Sequence, residues 1–386
     1  MNILPSMMHA IRGSTVLFFA WSMTSSASAQ ELRPSTLAGR STVYAPNGVV
    51  ATSQPLASGA ALAVLERGGN AVDAAVTAAA VLNLVEPYMT GIGGDMFALL
   101  WSARDGKLVG LNASGRSGSL LSRETLLTRG HQSVPGDGAE AVTVPGALSG
   151  WTALLERYGT LTLAQALAPA IRLAEDGFPV TPIIARDWQG QAERLRRDPG
   201  ARATFLLDGT RAPRAGEWFT NPDLARSFRA IAAGGARVLY GGELGRRIAD
   251  HVKQLGGFLT PEDLAAHQPA WVEPLSAPFR GYRLWELPPN GQGIAALEML
   301  RILEPYDLAA MGHNSAAYLH HVIEAKKLAY ADLARYVGDP EQMTVTPADL
   351  LSDRFVASRR ARLDPARAAE LVEPGAAVTS SETIYL

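Results

Sequence analysis

The stretch from residue 68 to residue 116 constrains the fold more than any other part of the sequence, and it opens with the signals of a buried helix. Asn70 is a good N-cap, because its side chain can accept hydrogen bonds from the free amides of a first helical turn. The run Ala71–Val85 is apolar on nearly every side, and Pro87 follows it closely. A helix that is apolar all round is buried, and proline cannot continue one. The pattern therefore predicts a core helix that ends before Pro87.

A glycine-rich loop follows the predicted helix. Gly91, Gly93 and Gly94 allow the backbone to turn tightly and to approach another chain segment closely, because glycine has no side chain to obstruct either. The apolar run 96–101 comes next and contains no charged residue. A short apolar run after a turn is typical of a buried strand, so we predict one here.

A hairpin then returns the chain towards a cationic residue. Asp105-Gly106 is a hairpin turn signal, and residues 107–111 predict the returning strand. A polar cluster follows this strand and ends in Arg116. This order of elements, a helix, a glycine loop, a hairpin and a polar cluster, can position the Arg116 side chain at a binding site.

Length and composition limit the classes of function. The 386 residues are enough for a large hydrophobic core, and big layered α/β domains reach this length. The net charge of -2 gives no electrostatic footprint for nucleic acid, so we expect no nucleic-acid partner. The sequence contains no cysteine, which excludes disulfides and thiolate chemistry.

The first residues predict a secretory signal peptide at 1–29. Arg12 supplies the positive charge of its start, residues 14–23 form a short apolar run, and Ala27-Ser28-Ala29 before Gln30 is a small-x-small cleavage pattern. A buried or membrane-anchoring N-terminal helix is the alternative, but the run is too short to span a bilayer comfortably. We therefore expect a periplasmic or secreted protein with no membrane span after the signal peptide.

The rest of the chain mixes helical and strand-like patterns. Leu264 and the segment 271–287 show strand-like alternation, and a Pro-Pro-Asn-Gly turn follows them. We find neither an internal repeat nor a low-complexity linker, so residues 30–386 are predicted to form one domain with a helical insertion. Helical spacing predicts helices at 55–67, 148–158, 163–176, 182–197, 221–233, 245–255, 294–303 and 315–336.

A series of motifs along this chain is similar to the γ-glutamyltransferase (glutathione hydrolase) family. In order they read GGNAVDAAV, EPYMTGIGGDMF, VTVPGALSGW, YGTL, GFPV, LPPNGQG and EAKKLAYADLARYVGDP. The resemblance extends from about Tyr44 to the last residue. It implies an α/β (α+β) fold, the αββα sandwich of N-terminal-nucleophile hydrolases, with residues 30–386 as the large-subunit region.

The resemblance implies that the chemistry occurs at Thr383. In the family a precursor cuts itself immediately before a threonine, which becomes the N-terminal nucleophile, and the matching cut here lies between Glu382 and Thr383. A threonine hydroxyl is a weak nucleophile, but the freed α-amine has a pKa of about 7.7 to 8.0 and can act as its base. The implied partners are a glutathione-like γ-glutamyl substrate and a small subunit from the same precursor, and no cofactor is implied.

The family's oxyanion hole and its contacts with the substrate's α-amino group come from the segment after the nucleophile. The sequence given ends at Leu386, so we interpret it as a precursor truncated just after Thr383. An acyl-transfer site without oxyanion donors loses several kcal/mol of transition-state stabilisation. The chain alone is therefore expected to be inactive.

Arg116 and Ser114 are the candidate substrate-binding residues. Family transpeptidases carry an arginine after this hairpin that binds the α-carboxylate of the γ-glutamyl group, because a guanidinium meets both carboxylate oxygens. Aligned on Leu111, Ser114 takes the family's arginine position and Arg116 falls two residues later. Three functions stay open: γ-glutamyl transfer or hydrolysis, which we favour, a cephalosporin or glutaryl-amide acylase, and a catalytically inactive truncated remnant.

Two further clusters favour structural roles over catalysis. His320, His321 and Glu324 lie within about one helical turn, but they lack the pattern of a zinc site, so a solvated or hydrogen-bonded helix face is the better interpretation. Asp332 and Asp339 lie in the AYADLARYVGDP motif. Helix capping and turn formation are the better interpretations for these two residues.

Overall fold

The computed structural model describes residues 42–377 of the chain. Glu382, Thr383 and the predicted signal peptide lie outside the described residues. The chain separates into a unit that ends at Gly48 and a second unit that begins at Val49, and every helix and strand named below belongs to the second unit. In the described part of the chain, no helix is both long enough and apolar enough to cross a bilayer.

The first two helices form as the sequence predicts. α1 (Pro55–Glu66) and α2 (Ala71–Val85) pack against each other in the main hydrophobic core. The Asn70 side chain accepts from the amides of Val72 and Asp73, which confirms Asn70 as the N-cap of α2. Most side chains of α2 are buried, so the predicted core helix is confirmed with its bounds.

The predicted hairpin is present, but its first strand is not fully buried. β1 (Met96–Ser102) and β2 (Lys107–Ala113) are antiparallel, and β1 forms one edge of a three-stranded sheet within the described residues. Alternate side chains of a strand point to opposite faces, so only one set meets the core. The prediction of a buried strand is therefore wrong for the other set, whose exposed members are Phe97, Leu99 and Trp101.

A largely helical region follows the hairpin and corresponds to the predicted helical insertion. Its strands β3 and β4 are short and pair with each other, while α5 packs on both α2 and α9 and so joins the region to the core. The elements are α3 (Arg123–Thr128), α4 (Ala147–Tyr158), α5 (Leu163–Asp176), β3 (Phe178–Pro179), α6 (Pro182–Gly190), α7 (Ala192–Leu195), α8 (Pro199–Phe205), β4 (Trp218–Phe219), α9 (Pro222–Gly234), α10 (Glu243–Gln254) and α11 (Pro261–Ala266), with 3-10 turns at Ala139–Ala141 and Ala236–Val238.

Two predictions of secondary structure in this region are wrong. Leu264 lies in helix α11 and not in a strand, because Thr260 and Asp263 form a capping box in which each side chain accepts from the other residue's amide. The predicted helix 182–197 is two helices, which are separated at Gln191. Side-chain periodicity reveals neither the capping box of α11 nor the break at Gln191.

The C-terminal part combines a strand, a hairpin and a second group of helices. β5 pairs with β2, whereas β6 and β7 pair only with each other in the described residues. α12 packs against α13, α15 and β6, and this packing forms two smaller hydrophobic clusters. The elements are β5 (Ala270–Val272), β6 (Leu275–Phe279), β7 (Tyr282–Glu286), α12 (Gly293–Leu303), α13 (Ala316–Tyr336), α14 (Pro347–Leu350) and α15 (Asp353–Arg360).

Candidate functional site

A cleft of about 910 Å³ opens where the end of β2 meets α11, the turn after β7 and the segment after α13. Polar and apolar groups both line it, and most of them belong to loops between the strands and helices. Such a concave site with convergent polar groups is the usual form of a small-molecule site. The titratable side chains that line it are Arg116, Asp263, His267, Asp339 and Glu341.

Close backbone contacts fix the position of the segment that carries Arg116. The amide of Val144 donates to the carbonyl of Arg116 at 2.9 Å. A Cβ atom at Gly115 would lie 1.6 Å from the carbonyl oxygen of Val144, and one at Gly146 would lie 1.8 Å from that of Ala113. Only glycine permits backbones to approach so closely. The VPGALSGW motif and the end of β2 are thus held together directly behind the cleft.

The Arg116 guanidinium binds two carboxylates in the cleft. Nη1 lies 3.0 Å from Asp339 Oδ2, and Nη2 lies 2.9 Å from Glu341 Oε1. Asp339 Oδ1 also accepts from the amide of Glu341 at 3.1 Å, which confirms the predicted turn at this residue. The Arg116 side chain is 66% exposed. Exposed ion pairs contribute only about 0 to 1 kcal/mol each, so a ligand carboxylate can replace either partner.

Ser114 belongs to a neutral hydrogen-bonded cluster beside Arg116. Its hydroxyl donates to Asn112 Oδ1 at 2.7 Å and accepts from Asn290 Nδ2 at 3.1 Å. Asn112 Nδ2 in turn donates to Asn290 Oδ1 at 2.9 Å. The position that aligns with the family's arginine therefore presents no positive charge. Among the side chains that line the cleft, Arg116 carries the positive charge.

His267 lines the cleft with one ring nitrogen already occupied. Its Nε2 lies 2.9 Å from the hydroxyl of Ser149, which itself donates to the carbonyl of Gly146 at 2.7 Å. Because that hydroxyl proton is used, we assign Nε2 as the protonated donor of the ring. The ring also stacks on Tyr240, with 5.4 Å between centroids. Burial lowers the pKa of His267 below 6.5, so its imidazole is neutral at pH 7.

Sequence reasoning identified Arg116 and Ser114, and the structure brings both to the cleft. The sequence did not reveal the residues that contact Arg116 and Ser114, or His267, which lines the same cleft. Some signal was present, since Asn290 and Asp339 lie in the turns of the LPPNGQG and VGDP motifs, and loops carry functional residues more often than their length suggests. The residues that it missed as site residues are Asn112, Asp263, His267, Asn290, Asp339 and Glu341.

The histidines of α13 have structural partners. His320 Nε2 lies 2.7 Å from the carbonyl of Asp364, and His321 Nδ1 lies 2.8 Å from that of Ala317. Glu324 pairs with a lysine one turn away in the same helix. The hydrogen-bonded helix face that the sequence favours is confirmed for these residues. Among residues 42–377, no group of three histidine or acidic side chains could hold a metal ion.

Asp332 differs from its prediction. It neither caps a helix nor forms a turn, but lies fully buried within α13. Its Oδ2 is 2.6 Å from Nε of Arg359 in α15, and its Oδ1 accepts from the amide of Gly375 at 2.6 Å. The partners are distant in sequence, so local turn chemistry could not indicate this ion pair.

Comparison with known proteins finds a matching family model, a curated relative and solved structures of similar fold. The family model described as γ-glutamyltranspeptidase matches residues 57–385. The glutathione hydrolase-like YwrD proenzyme of Bacillus subtilis (strain 168) is 36% identical over 352 residues, which are 87% of this chain and 66% of that protein. The crystal structure of Helicobacter pylori γ-glutamyltranspeptidase matches with a TM-score of 0.80 at 30% identity, over 86% of this chain and 97% of that chain. Cephalosporin acylase from Bacillus halodurans matches with a TM-score of 0.79 at 44% identity, over 86% of this chain and 63% of that chain.

These likenesses show the fold. The predicted α/β architecture of N-terminal-nucleophile hydrolases is confirmed by solved structures that match at TM-scores of 0.78 to 0.80. The chain spans between 54% and 66% of the length of the curated relatives compared. Both a γ-glutamyltranspeptidase and a cephalosporin acylase are among the solved structures that share this fold.

Proposed function

Because the chain belongs to the γ-glutamyltranspeptidase family, we propose that it is the larger part of an enzyme that transfers or hydrolyses γ-glutamyl amides such as glutathione. Thr383 is its proposed nucleophile. In the maturation step, the Thr383 hydroxyl attacks the carbonyl carbon of Glu382, and the peptide bond becomes an ester with release of the Thr383 amine. Water then hydrolyses that ester and leaves Thr383 as a new N-terminus with a free amine and a free hydroxyl.

In the proposed reaction with substrate, the freed amine accepts the hydroxyl proton of Thr383. The hydroxyl oxygen attacks the γ-carbonyl carbon, and the leaving amine takes up the proton as the γ-amide bond breaks. An ester between Thr383 and the γ-glutamyl group remains. Water gives glutamate by hydrolysis of this ester, whereas the amine of an acceptor amino acid gives a new γ-glutamyl amide.

The arrangement of charges at Arg116 is the observation that carries this proposal. One guanidinium lies between the carboxylates of Asp339 and Glu341 at 3.0 and 2.9 Å in a cleft at the end of β2. A γ-glutamyl group ends in an α-carboxylate and an α-ammonium, which are complementary to an arginine and an acidic pair. The substrate would exchange these exposed contacts for its own, at a small cost in free energy.

An acylase for cephalosporin or glutaryl amides is the second candidate. It is favoured by the neutral Ser114 cluster and by the identity to the Bacillus halodurans acylase. A glutaryl group has the terminal carboxylate but lacks the ammonium. A glutaryl carboxylate could still contact Arg116, but it brings no ammonium to offset its repulsion by Asp339 and Glu341, and for this reason we rank the acylase second.

We also propose the compartment and the partner that the family resemblance implies. Residues 1–29 would direct the protein to the periplasm or outside the cell. A small subunit would come from the same precursor after the cut before Thr383. Support comes from the lengths of the relatives, since the chain covers 97% of one solved γ-glutamyltranspeptidase chain but only 66% of a curated proenzyme.

Intact mass spectrometry of the protein expressed from its complete gene tests the maturation step. We expect two fragments separated between Glu382 and Thr383, and a single uncut species for T383A. An uncut wild-type protein without amidase activity would favour the third possibility, a catalytically inactive remnant. It would overturn the enzymatic proposal for this chain.

A pair of chromogenic amides tests the substrate class. We expect the processed enzyme to release p-nitroaniline faster from γ-glutamyl-p-nitroanilide than from glutaryl-p-nitroanilide. Loss of a charge-assisted contact costs about 1.5 to 3 kcal/mol, so R116A should lower kcat/KM for the γ-glutamyl amide about 10- to 100-fold. R104A is a matched control, because Arg104 lies exposed in the hairpin, away from the cleft, and forms its ion pair with Asp105.

The two carboxylates distinguish the rival functions. D339N/E341Q removes the proposed ammonium contacts, so we expect weaker turnover of the γ-glutamyl amide and stronger turnover of the glutaryl amide. A wild-type preference for the glutaryl amide, unchanged in this variant, would support the acylase instead.

A further inference from the structure

A cluster of charged side chains lies buried among the helices of the C-terminal part. Glu298 of α12, Asp332 of α13 and Arg359 of α15 are 2%, 0% and 4% exposed. Arg359 Nε lies 2.6 Å from Asp332 Oδ2, and α12, which carries Glu298, packs against both α13 and α15. Glu298 Oε1 has no hydrogen-bond partner among the described residues. None of these three side chains lines the cleft.

One of the two carboxyl groups must carry a proton. A single guanidinium balances the charge of a single carboxylate, and two ionised carboxyl groups in so buried a site would repel each other. Asp332 is the carboxylate, because it faces Arg359 and also accepts from the amide of Gly375. Glu298 therefore holds the proton. Burial first, and then the neighbouring Asp332, raise the pKa of Glu298 to about 9.

The other charged groups near α12 have partners elsewhere. Arg301, one turn further along the same helix, pairs with Asp353. Glu286 of β7 lies beside Gly293 at the start of α12. Asp332 from α13 and Arg359 from α15 are thus the charged groups that face Glu298 from the elements packed against its helix.

The same cluster holds the chain segment that follows α15. Besides the bond from the Gly375 amide to Asp332, Arg359 Nη2 donates to the carbonyl of Glu373 at 3.0 Å. The hydroxyl of Tyr336 donates to the carbonyl of Gly375. A Cβ atom at Gly375 would lie 2.7 Å from Arg359 Cδ, so this backbone lies directly against the buried guanidinium. Gly375 is eight residues before Thr383.

We propose that Glu298, Asp332 and Arg359 form a positioning site that anchors residues 373–377, the segment that precedes the proposed cut before Thr383 in the sequence, only while Glu298 is protonated. The role in self-cleavage rests on the function proposed above, whereas the anchoring does not. When Glu298 ionises, two negative charges share one guanidinium without water. Such uncompensated buried charge is strongly destabilising, and opening of the anchored segment gives it access to solvent.

The rate of cleavage before Thr383, followed on gels with protein from the complete gene, tests the proposal between pH 7 and pH 10. E298Q has no proton to lose, so we expect it to cleave at least five times faster than wild type at pH 10 and at a similar rate at pH 7. E298M is a second uncharged variant in case the glutamine lowers the yield of folded protein. D353N is the matched control, since Asp353 is an exposed carboxylate, and it should follow wild type at every pH. An equal decline in E298Q, E298M and wild type would overturn the proposal.

A second measurement separates this proposal from the proposed self-cleavage. Subtilisin works at alkaline pH, so it can probe residues 373–377 in T383A protein, which does not cut itself. We expect cutting in this segment to increase several-fold from pH 7 to pH 10, and we expect the increase to be absent in T383A/E298Q. A wild-type protein that never cuts itself, with subtilisin results as expected, would reject the proposed maturation but retain the anchor. Equal subtilisin cutting with and without E298Q would reject the anchor.

Discussion

Substitution of Asp73 is the most direct test of which contacts stabilise this fold. It is fully buried at the start of α2 and accepts four hydrogen bonds. Oδ1 accepts from the amides of Thr160 at 2.8 Å and Leu161 at 2.9 Å. Oδ2 accepts from the amide of Asn70 at 2.9 Å and the hydroxyl of Thr160 at 2.7 Å. The GGNAVD and YGTL motifs, far apart in sequence, are therefore joined through one carboxylate.

The substitution D73N shows how much this carboxylate contributes. Asparagine keeps the oxygen that meets Thr160 and Leu161, but its NH₂ group would face the amide of Asn70, which is also a donor. One buried amide then loses its acceptor, and the remaining bonds lose the assistance of a charge. We expect a loss of about 2 to 3 kcal/mol in the free energy of unfolding, and about 4 kcal/mol for D73A, which removes all four bonds.

Urea unfolding of the chain at pH 7 measures this loss. With an m-value near 3 kcal/mol/M, D73N should lower the midpoint by about 1 M urea without changing m. D187N is the matched control, because Asp187 pairs with the adjacent Arg186 on the surface and such pairs contribute about 1 kcal/mol or less. The reasoning would be refuted if D73N were no more destabilising than D187N.

The pH dependence of D73N supplies an independent check. Burial acts to raise the pKa of Asp73, but the hydrogen bonds from Leu161, Thr160 and Asn70 outweigh it and hold the pKa below 3.8. A carboxyl whose pKa is lower in the folded state stabilises the protein above its unfolded pKa, and the stabilisation is lost as pH falls through the folded value. The difference between wild type and D73N should therefore be full at pH 7 and shrink below about pH 4. A constant difference across this range would show that charge has no part in it.

Two other substitutions test the cleft and the core. G115A places a methyl group 1.6 Å from the carbonyl oxygen of Val144, so we expect the backbone contact behind Arg116 to open. As a result, kcat/KM for γ-glutamyl-p-nitroanilide should fall at least ten-fold. G93A is the control, because a Cβ atom at Gly93 would meet no atom within 4 Å. W188A removes a fully buried indole that donates to the carbonyl of Phe205 at 2.9 Å. Urea unfolding should show a loss of about 3 to 5 kcal/mol in the free energy of unfolding. A loss below about 1 kcal/mol would contradict the assignment of Trp188 to the core.

The elements that the sequence predicted well are those determined by local signals. α2 combines a capping residue, Asn70, with an unbroken apolar run, and its observed bounds are the predicted ones. The Asp105-Gly106 turn likewise specified the β1–β2 hairpin, because the backbone geometry of the turn aligns the two strands. Leu264 was mispredicted because one apolar residue has no periodicity, whereas the capping box around it was a clear helix signal.

The candidate site was predictable only in part. Arg116 and Ser114 came from motif alignment, and their place at the cleft agrees with it. Their contacts could not be predicted, because Asp339 meets Arg116 across 223 residues and Asn290 meets Ser114 across 176. Such pairs depend on the packing of α13 and of the turn after β7 against β2. No local pattern in a single sequence encodes that packing.

The two-residue displacement of the arginine has a structural meaning that alignment alone did not reveal. Side chains two positions apart in an extended chain point to the same side, about 7 Å apart along the backbone. Residues 114–116 connect β2 to an antiparallel bridge at Ser117, so the chain is close to extended directly before and directly after this segment. Arg116 therefore stays on the side of the cleft that Ser114 occupies, and both contact the same space. The displacement keeps the cation but moves it towards Asp339 and Glu341, while Ser114 and Asn290 occupy the space beside it with neutral groups. A substrate that uses Arg116 must then satisfy two carboxylates as well, which is the physical reason for preferring an amino-acid head group over a simple dicarboxylate in the proposed function.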